Sequence, residues 1–283
     1  MNSIVQININ ELHPFEDYPF RVQRDEELEM LAESISMGGV FSPLLVRPLD
    51  KGGYEIISGH RRHEACKMAG IKTVPAIVRP MERDDAVIAM VDCNLQRESL
   101  LPSEKAFAYR MKLEAMSRQG YRSDLTSTQD GQKLTSIQKI ANASSDSRAQ
   151  IQRYIRLCYL EKPLRDLVDE GRIALTPAVE LSYLSTDEQT ELLYTIESED
   201  ATPSLSQAQR MREYSRLGIL SMDRIFDIMT EVKGNQTEYL KLRVDELSQY
   251  FRSDVTPRQM EETIIKALKY YQKYLERQRN DAR

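Results

Sequence analysis

The first hundred residues alternate short apolar runs with amphipathic stretches. Asp25 is a capping type, and Leu28, Leu31 and Ala32 share one helical face, so a helix is predicted from Asp25 through Ile35. The same reasoning predicts strands at 43–49, 54–58 and 73–79 and helices at 61–69 and 82–91. Alternation of this kind is typical of a small mixed α/β domain.

After Ser103 the strand pattern almost disappears. The polar segment 119–135 is predicted to be a loop, because it is poor in large apolar residues. Helices are predicted at 105–118, 136–143, 147–160, 163–170, 177–184, 187–197, 206–217 and 222–231, with a polar loop around 234–235. The predicted class is therefore α+β, with a mixed domain at 1–100, an all-α domain at 101–202 and a mostly helical region at 203–283.

The last helix has the clearest start signal. Thr256 is placed to cap it, Pro257 occupies its first turn, and Gln259 completes a capping box. A stripe with helical spacing follows, made of Met260, Ile264, Ala267, Tyr271, Leu275 and Gln278. This stripe can pack within the domain or pair with a second copy, and both interpretations remain open.

Composition narrows the class of protein. Charged residues make up 29% and hydrophobic residues 41% of the 283, which is ordinary for a protein with real cores. No apolar run is long enough to cross a bilayer, and the N-terminus lacks the layout of a secretion signal. Cys66, Cys93 and Cys158 lie far apart, which argues against a zinc site or a disulfide framework. We therefore expect a cytoplasmic protein with no membrane partner.

The net charge of −5 hides an uneven distribution. Segment 147–165 holds five basic residues against the single acid Glu161, whereas segment 166–200 holds ten acids against the single base Arg172. Because salt screens charges beyond about 10 Å, a local basic stripe can bind phosphates in an acidic protein. The same run also fits a solvated helix face.

A phosphate-binding corner is predicted where a strand meets a helix at 58–62. Gly59 allows close approach of the backbone, and the first amides of the following helix have no intrahelical acceptor. Those amides and the guanidinium groups of Arg61 and Arg62 suit a polyphosphate. Taken alone, two arginines at a helix start are more often simply solvated.

Three sequence blocks resemble the ParB/Noc family of DNA-partition proteins. The segment GHRRHEACKMAGIKTVPAIV at 59–78 is similar to the family's second block, G-E-R-R-x-R-A followed by a T-V-P strand. GVFSPLLVR at 39–47 resembles the first block, G-x-x-Q-P-L-x-V-R. NLQRE at 94–98 and LPSEKA at 101–106 resemble the third block, E-N-L-Q-R-x-x-L-x-P-x-E-x-A. The blocks occur in the family's order, and the resemblance extends over about 4–185.

The resemblance implies a domain of the ParB/sulfiredoxin type that binds CTP with Mg²⁺. Carried onto this chain, the nucleotide-binding residues are Gly59, His60, Arg61, Arg62, Asn94 and Arg97. Asn94 is implied as the metal ligand, which agrees with the preference of magnesium for oxygen.

Three residues depart from the family pattern: Ser42 stands for the usual glutamine, His60 for a glutamate, and Cys93 for the glutamate associated with hydrolysis. A thiol does not replace a carboxylate as a base, so at most weak CTP hydrolysis is expected. His60 and His63 are expected near the nucleotide or exposed. Sulfiredoxin itself is disfavoured, because its catalytic cysteine in a G-C-H-R turn has no counterpart at His60.

Segment 136–157 has the spacing of a helix-turn-helix. Ala141 lies where the helices cross, Ser145 lies at the turn, and Ile151 and Tyr154 are predicted to be buried. The residues predicted to contact DNA are Ser147, Arg148, Ala149, Gln152 and Arg153. A plain helical hairpin is the alternative.

The expected function is that of a nucleoid-associated ParB-type protein, a homodimer that binds a centromere-like site in double-stranded DNA under the control of CTP. A nucleoid-occlusion or transcriptional regulator with the same parts is the alternative. A ParA-type ATPase is a weaker expectation as a partner, because the family match begins near Ile4 and the segment that contacts it usually precedes the first block.

Overall fold

The computed structural model describes residues 3–97, 100–123, 136–231, 250–251 and 255–281. The chain forms two compact units, Met1–Thr230 and Glu231–Arg283. The predicted boundaries near 100 and 202 both fall inside the first unit and remain predictions.

A five-stranded mixed sheet lies at the start of the first unit. Its strands are β1 (Ile4–Asn8), β2 (Leu12–His13), β3 (Leu44–Pro48), β4 (Tyr54–Ser58) and β5 (Thr73–Val78). Their order across the sheet is β1-β5-β3-β4-β2. The pairs β1–β5 and β3–β4 are antiparallel, and β3–β5 and β2–β4 are parallel. The predicted strands at 43–49, 54–58 and 73–79 are confirmed, whereas β1 and β2 had not been predicted.

Three helices accompany the sheet: α1 (Glu26–Gly38), α2 (His60–Met68) and α3 (Arg83–Leu95). Asp25 caps α1 as predicted, with its carboxylate accepting a hydrogen bond from the amide of Leu28 at 2.9 Å. Leu28, Ala32 and Ile35 are buried against the apolar face of the sheet. Cys66 belongs to the same core, which confirms it as a small core residue.

The rest of the first unit is helical. Its helices are α4 (Pro102–Ser123), α5 (Ser136–Asn142), α6 (Arg148–Arg156), α7 (Lys162–Asp169), α8 (Leu175–Leu181), α9 (Thr186–Glu199), α10 (Leu205–Arg216) and α11 (Met222–Thr230). Leucines and isoleucines from α7 to α11 form one large core. A mixed sheet domain followed by helices confirms the predicted α+β class.

The predicted loop at 119–135 is wrong at its start, because α4 continues to Ser123. Two polar contacts hold this end of α4 on α3. Arg118 Nε donates to Asp84 at 2.8 Å, and the Gln119 amide donates to Asp85 at 2.7 Å. These two contacts help to explain why the helix continues into the polar segment. Residues 124–135 lie outside the described residues.

The described part of the second unit is dominated by α12 (Pro257–Asp281). The predicted capping box is confirmed, since the Gln259 side chain accepts from the Thr256 amide at 2.9 Å. In the predicted stripe Met260 is buried and Ile264 is half-buried, whereas Ala267 and Tyr271 are exposed. The side chains of Leu275 and Gln278, and the predicted loop at 234–235, lie outside the described residues. Among the helices that the structure describes, none is long and apolar enough to cross a bilayer.

Candidate functional site

The corner between β4 and α2 has the predicted geometry. Gly59 lies between Ser58 and His60 with φ of 107°, a left-handed conformation that favours glycine. A Cβ atom at Gly59 would lie 3.0 Å from Cγ of Leu44, so the backbone is packed closely here. No side chain caps α2, and its first amides therefore remain available to an anion.

Arg61 is held by two carboxylates from the start of α1. Its Nη1 and Nη2 donate to the two carboxylate oxygens of Asp25 at 3.1 and 2.9 Å, and Nη2 also donates to Glu27 at 3.2 Å. These hydrogen bonds from Arg61, joined by the backbone amide of Leu28, hold the pKa of Asp25 below its usual value. A ligand that binds Arg61 through both nitrogens must displace Asp25.

Arg62 is turned toward the first block. Its Nη1 donates to the carbonyl oxygens of Ser42 and Pro43 at 2.6 and 2.8 Å and to Oγ of Ser42 at 3.0 Å. Burial lowers the pKa of this guanidinium. Arg62 thus joins the first and second blocks, and Ser42, which departs from the family pattern, supplies two of the three acceptors.

His60 lies beneath the corner. Its ring stacks on Tyr18 with centroids 3.6 Å apart, and Nε2 accepts a hydrogen bond from the Phe15 amide at 3.3 Å. Burial, followed by the nearby His63, lowers the pKa of His60 to about 3, so the ring is neutral at physiological pH. His63 is also buried, so the alternative that the two histidines are exposed is wrong, and their place near the nucleotide stays a prediction. Both rings fill space between α2 and the elements it packs against.

Asn94 is buried, and both ends of its amide are already engaged. Its Oδ1 accepts from the hydroxyl of Tyr18 at 3.1 Å, and its Nδ2 donates to the carbonyl of Met90 at 2.8 Å. Burial raises the pKa of Tyr18 to about 12, so this hydroxyl remains a donor. Within the described ranges, no group of three or more His, Cys, Asp or Glu side chains could hold a metal. Both ends of the Asn94 amide thus have protein partners in this structure, and its role as a metal ligand stays a prediction.

A cavity of about 540 Å³ opens between α1, α2 and the start of α4, and we call it the phosphate cavity. It brings together two of the predicted nucleotide contacts, Arg61 and Arg97. Its lining residues are Arg21, Gln23, Asp25, Glu26, Glu27, Arg61, Arg97, Leu101 and Glu104. Three guanidinium groups and four carboxylates therefore share one cavity.

Arg21 and Glu104 also line this cavity, and neither was predicted as a site residue. Glu104 is buried, and its carboxylate accepts from the amides of Arg21 at 2.7 Å and Leu101 at 3.0 Å. Its place in the third block was a usable signal. Arg21 lies in the irregular segment before α1, where no periodicity marks it.

The predicted helix-turn-helix segment corresponds to α5 and α6, which pack on α4. Ile151 is fully buried with Tyr109 and Ile140, and Ala141 and Tyr154 are half-buried against them, as predicted. Ser147 caps α6, because its Oγ accepts from the amide of Gln150 at 3.2 Å.

The turn before α6 is anchored on α4. The hydroxyl of Tyr109 donates to Asp146 at 2.6 Å, and Nζ of Lys105 lies 3.5 Å from the same carboxylate. The start of α6 therefore has a fixed position relative to α4.

All five residues predicted to contact DNA lie on one exposed surface of α6 and its cap: Ser147, Arg148, Ala149, Gln152 and Arg153. Within the described residues, the side chains of Arg148 and Arg153 make no hydrogen bond or ion pair. This surface is available to a large anionic partner.

The other members of the basic run have structural partners. Arg156 donates to Oγ and the carbonyl of Ser182 at 3.0 and 2.6 Å. Lys162 pairs with Asp166 at 2.6 Å, and Arg165 donates to the carbonyl of Leu160 at 2.6 Å. The run is thus divided between exposed arginines of α6 that have no partner among the described residues and cations with protein partners, of which Arg156 joins α6 to the end of α8.

Comparison with known proteins identifies the family. The ParB N-terminal domain family matches residues 1–95. Stage 0 sporulation protein J of Bacillus subtilis is 36% identical over 176 residues, which are 61% of this chain and 55% of that protein. The chromosome-partitioning protein Spo0J of Thermus thermophilus is 30% identical over 211 residues, 74% of this chain and 70% of that protein. The chain belongs to the ParB family of chromosome-partitioning proteins.

Solved ParB structures are also similar. The C-terminally truncated ParB of Caulobacter crescentus complexed to the centromeric parS site is 23% identical with a TM-score of 0.44, over 81% of this chain and 100% of that one. The same truncated protein complexed with CTP-gamma-S is 28% identical with a TM-score of 0.32, over 66% of this chain and 96% of that one. The present ParB-family chain spans little more than half the length of the Bacillus protein.

Proposed function

We propose that this ParB-family chain binds a specific site in double-stranded DNA through α6 and binds CTP at the corner between β4 and α2. Binding of the nucleotide controls how the protein engages DNA, and the complex serves the segregation of a chromosome or mobile element. Family membership supports this role, and CTP is the nucleotide that the three sequence blocks imply.

The observation that carries the DNA-binding proposal is the free arginine surface of α6. Arg148 lies in the first turn of α6, where a cation is unfavourable to the helix dipole unless an anion is present. Gln152 and Arg153 lie one turn further on and are also exposed. Arginine and glutamine are the side chains that read guanine and adenine edges in the major groove. The anchored turn at Asp146 holds this surface in position.

The nucleotide proposal is supported by the packed glycine corner, the uncapped start of α2 and the cationic side of the phosphate cavity. Cys93 is exposed and supplies no carboxylate, and Asp92 beside it is paired with Lys112. We therefore infer at most slow hydrolysis of CTP.

Dimerisation through α12 is part of the same proposal. Ile265, Leu268 and Tyr271 are exposed on α12, which leaves an apolar surface that a second copy can cover.

The variant Arg148→Ala tests the proposed function. Selection of binding sites from random DNA first defines the preferred sequence, and a mobility-shift titration then compares this site with unrelated DNA. We expect specific affinity to fall about 5- to 150-fold, which corresponds to about 1–3 kcal/mol for a good base contact. Arg216→Ala is the matched control, because Arg216 is an exposed arginine paired with Glu213 on α10. Unchanged sequence preference in Arg148→Ala would contradict the assignment.

A further inference from the structure

Arg21 lies between two cavities of the first unit. It lines the phosphate cavity, and it also lines a second cavity of about 560 Å³ beside α7. There its Nη2 lies 3.4 Å from a carboxylate oxygen of Asp166 and 3.4 Å from one of Asp169. One guanidinium group therefore connects the predicted ligand cavity to a helix of the all-α module.

The backbone at Arg21 is fixed, whereas its side chain is not. The amide of Arg21 donates to the buried carboxylate of Glu104 at 2.7 Å. The side chain is half exposed, with a relative exposure of 50%. Its guanidinium group can therefore turn from one cavity to the other without a change in the chain path.

The contacts of Arg21 are weaker than those of Arg61 in the same cavity. Arg61 is held by Asp25 through two nitrogens at 2.9 and 3.1 Å. Arg21 uses one nitrogen at 3.4 Å for each partner, which is beyond the usual distance for such bonds. The pair of Arg21 with Asp166 is also partly exposed, and such ion pairs contribute little to stability. A polyphosphate in the phosphate cavity can thus take Arg21 from α7 more easily than it can take Arg61 from Asp25.

We propose that Arg21 is a phosphate-binding residue that reports occupancy of the phosphate cavity to α7. It exchanges the carboxylates of Asp166 and Asp169 for the oxygens of the bound polyphosphate. Asp169 keeps its bonds to the amide and hydroxyl of Ser103 at 2.9 and 2.6 Å, so α7 stays attached to the start of α4. Asp166 then retains Lys162 as its partner. The ion pairs that join Arg21, in the segment before α1, to α7 are lost. This inference rests on the proposed binding of a nucleoside triphosphate.

Because binding couplings are reciprocal, removal of the competing carboxylate must strengthen ligand binding. Calorimetric titration with CTP, and separately with inorganic triphosphate, is carried out on the full chain. We expect Asp166→Asn to raise the affinity about twofold to fivefold, as for loss of a weak competing ion pair. We expect Arg21→Ala to lower it about tenfold or more, as for loss of a hydrogen bond to a charged group.

The double variant Arg21→Ala/Asp166→Asn tests whether Asp166 lowers ligand affinity by holding Arg21 or only through its negative charge. If Asp166 acts through Arg21, its replacement has no effect on affinity once Arg21 is gone. Release of Lys162 or a weaker acidic field would still raise the affinity in the double variant. Arg24→Ala is the control for loss of a nearby arginine, since Arg24 pairs with Glu64 and does not line the phosphate cavity.

The outcomes distinguish this inference from the proposed function. Absence of binding of both ligands to the wild-type chain would overturn the proposed nucleotide site, and Arg21 with it. Binding by the wild-type chain with no gain in Asp166→Asn, or with the same gain in the double variant, would overturn the role of Arg21 alone.

Discussion

The starts of α2 and α6 carry the same kind of residues and use them in opposite ways. At α2, Arg61 is held by Asp25 and Glu27, and Arg62 is held by three oxygens of the first block. At α6, Arg148 and Arg153 are exposed and have no partner among the described residues. Both helices begin at a predicted anion site, but among the described residues the cations of α2 have acceptors and those of α6 do not.

The difference shows which site must rearrange to bind its ligand. The protein supplies carboxylates where a phosphate is predicted at α2, so ligand binding there replaces one set of ion pairs by another. The surface of α6 needs no such exchange, since the buried cluster around Ile151 and the anchored turn already fix its direction. We therefore expect ligand affinity at α2 to change when its carboxylates are replaced. DNA affinity at α6 should change when the buried residues beneath the helix are replaced.

The largest effect is expected when the buried face of α6 loses a side chain. Ile151→Ala removes a fully buried side chain, and we expect the free energy of unfolding to fall by about 2–5 kcal/mol. DNA binding should weaken, while CTP binding at α2 is retained under conditions where the chain is folded. Urea denaturation and the two binding titrations measure this.

Gln152→Ala is the matched control for Ile151→Ala, because Gln152 is exposed on the same helix. Its effect on the free energy of unfolding should stay within about 0.5 kcal/mol. Equal destabilisation by the two variants would show that α6 does not depend on its buried face.

The second effect is a pH dependence of the free energy of unfolding, caused by the buried His60 at the start of α2. The pKa of His60 falls from 6.5 to about 3 in the folded chain, so the unfolded chain binds more protons between these values. His60 thus stabilises the fold fully above pH 6.5. The free energy of unfolding should fall by about 1.4 kcal/mol per pH unit as the pH drops well below 6.5. Urea denaturation between pH 7.5 and pH 5 measures the slope.

His60→Gln isolates this contribution. The glutamine amide keeps an oxygen that can accept the Phe15 amide hydrogen bond, but it does not titrate. The slope below pH 6.5 should become shallower in this variant. Parallel pH profiles for the two proteins would rule out His60 as the titrating group.

The smallest effect is expected at the carboxylate that holds Arg61. Asp25→Asn keeps a residue that caps α1 and removes the negative charge. We expect the affinity for CTP to rise about fivefold to tenfold, more than in Asp166→Asn because Asp25 is the stronger competitor, and calorimetry measures this. Glu29→Gln is the control, because Glu29 lies in the same helical turn and does not line the phosphate cavity. An equal rise in both variants would indicate a general effect of net charge.

The sequence predicted the parts of the fold that bury a regular apolar pattern. The strands β3, β4 and β5 and the helix α1 came from such patterns, and their predicted bounds lie close to those observed. The edge strands β1 and β2 were missed because only Ile7 in β1 and Leu12 in β2 are buried, which leaves no alternation to detect.

The candidate sites were predictable to different extents. The surface of α6 followed from helical periodicity, because the buried positions of a helix define its exposed ones. The partners of Arg61 and Arg62 did not follow, since they come from segments 19 to 36 residues away that only the fold brings together. The burial of His60 could not be predicted from the sequence around it, because Gly59 precedes it and two arginines follow it.

The helix α4 forms part of three separate cores. Ala106 belongs to the large core of α7–α11, Ala108 and Ala115 belong to the core around α3, and Tyr109 belongs to the helix-turn-helix core. A recombinant chimera that joined the sheet domain of one relative to the helices α5–α11 of another would therefore have no neutral crossover point within α4. Such a graft must carry matched side chains on all three sides of this helix.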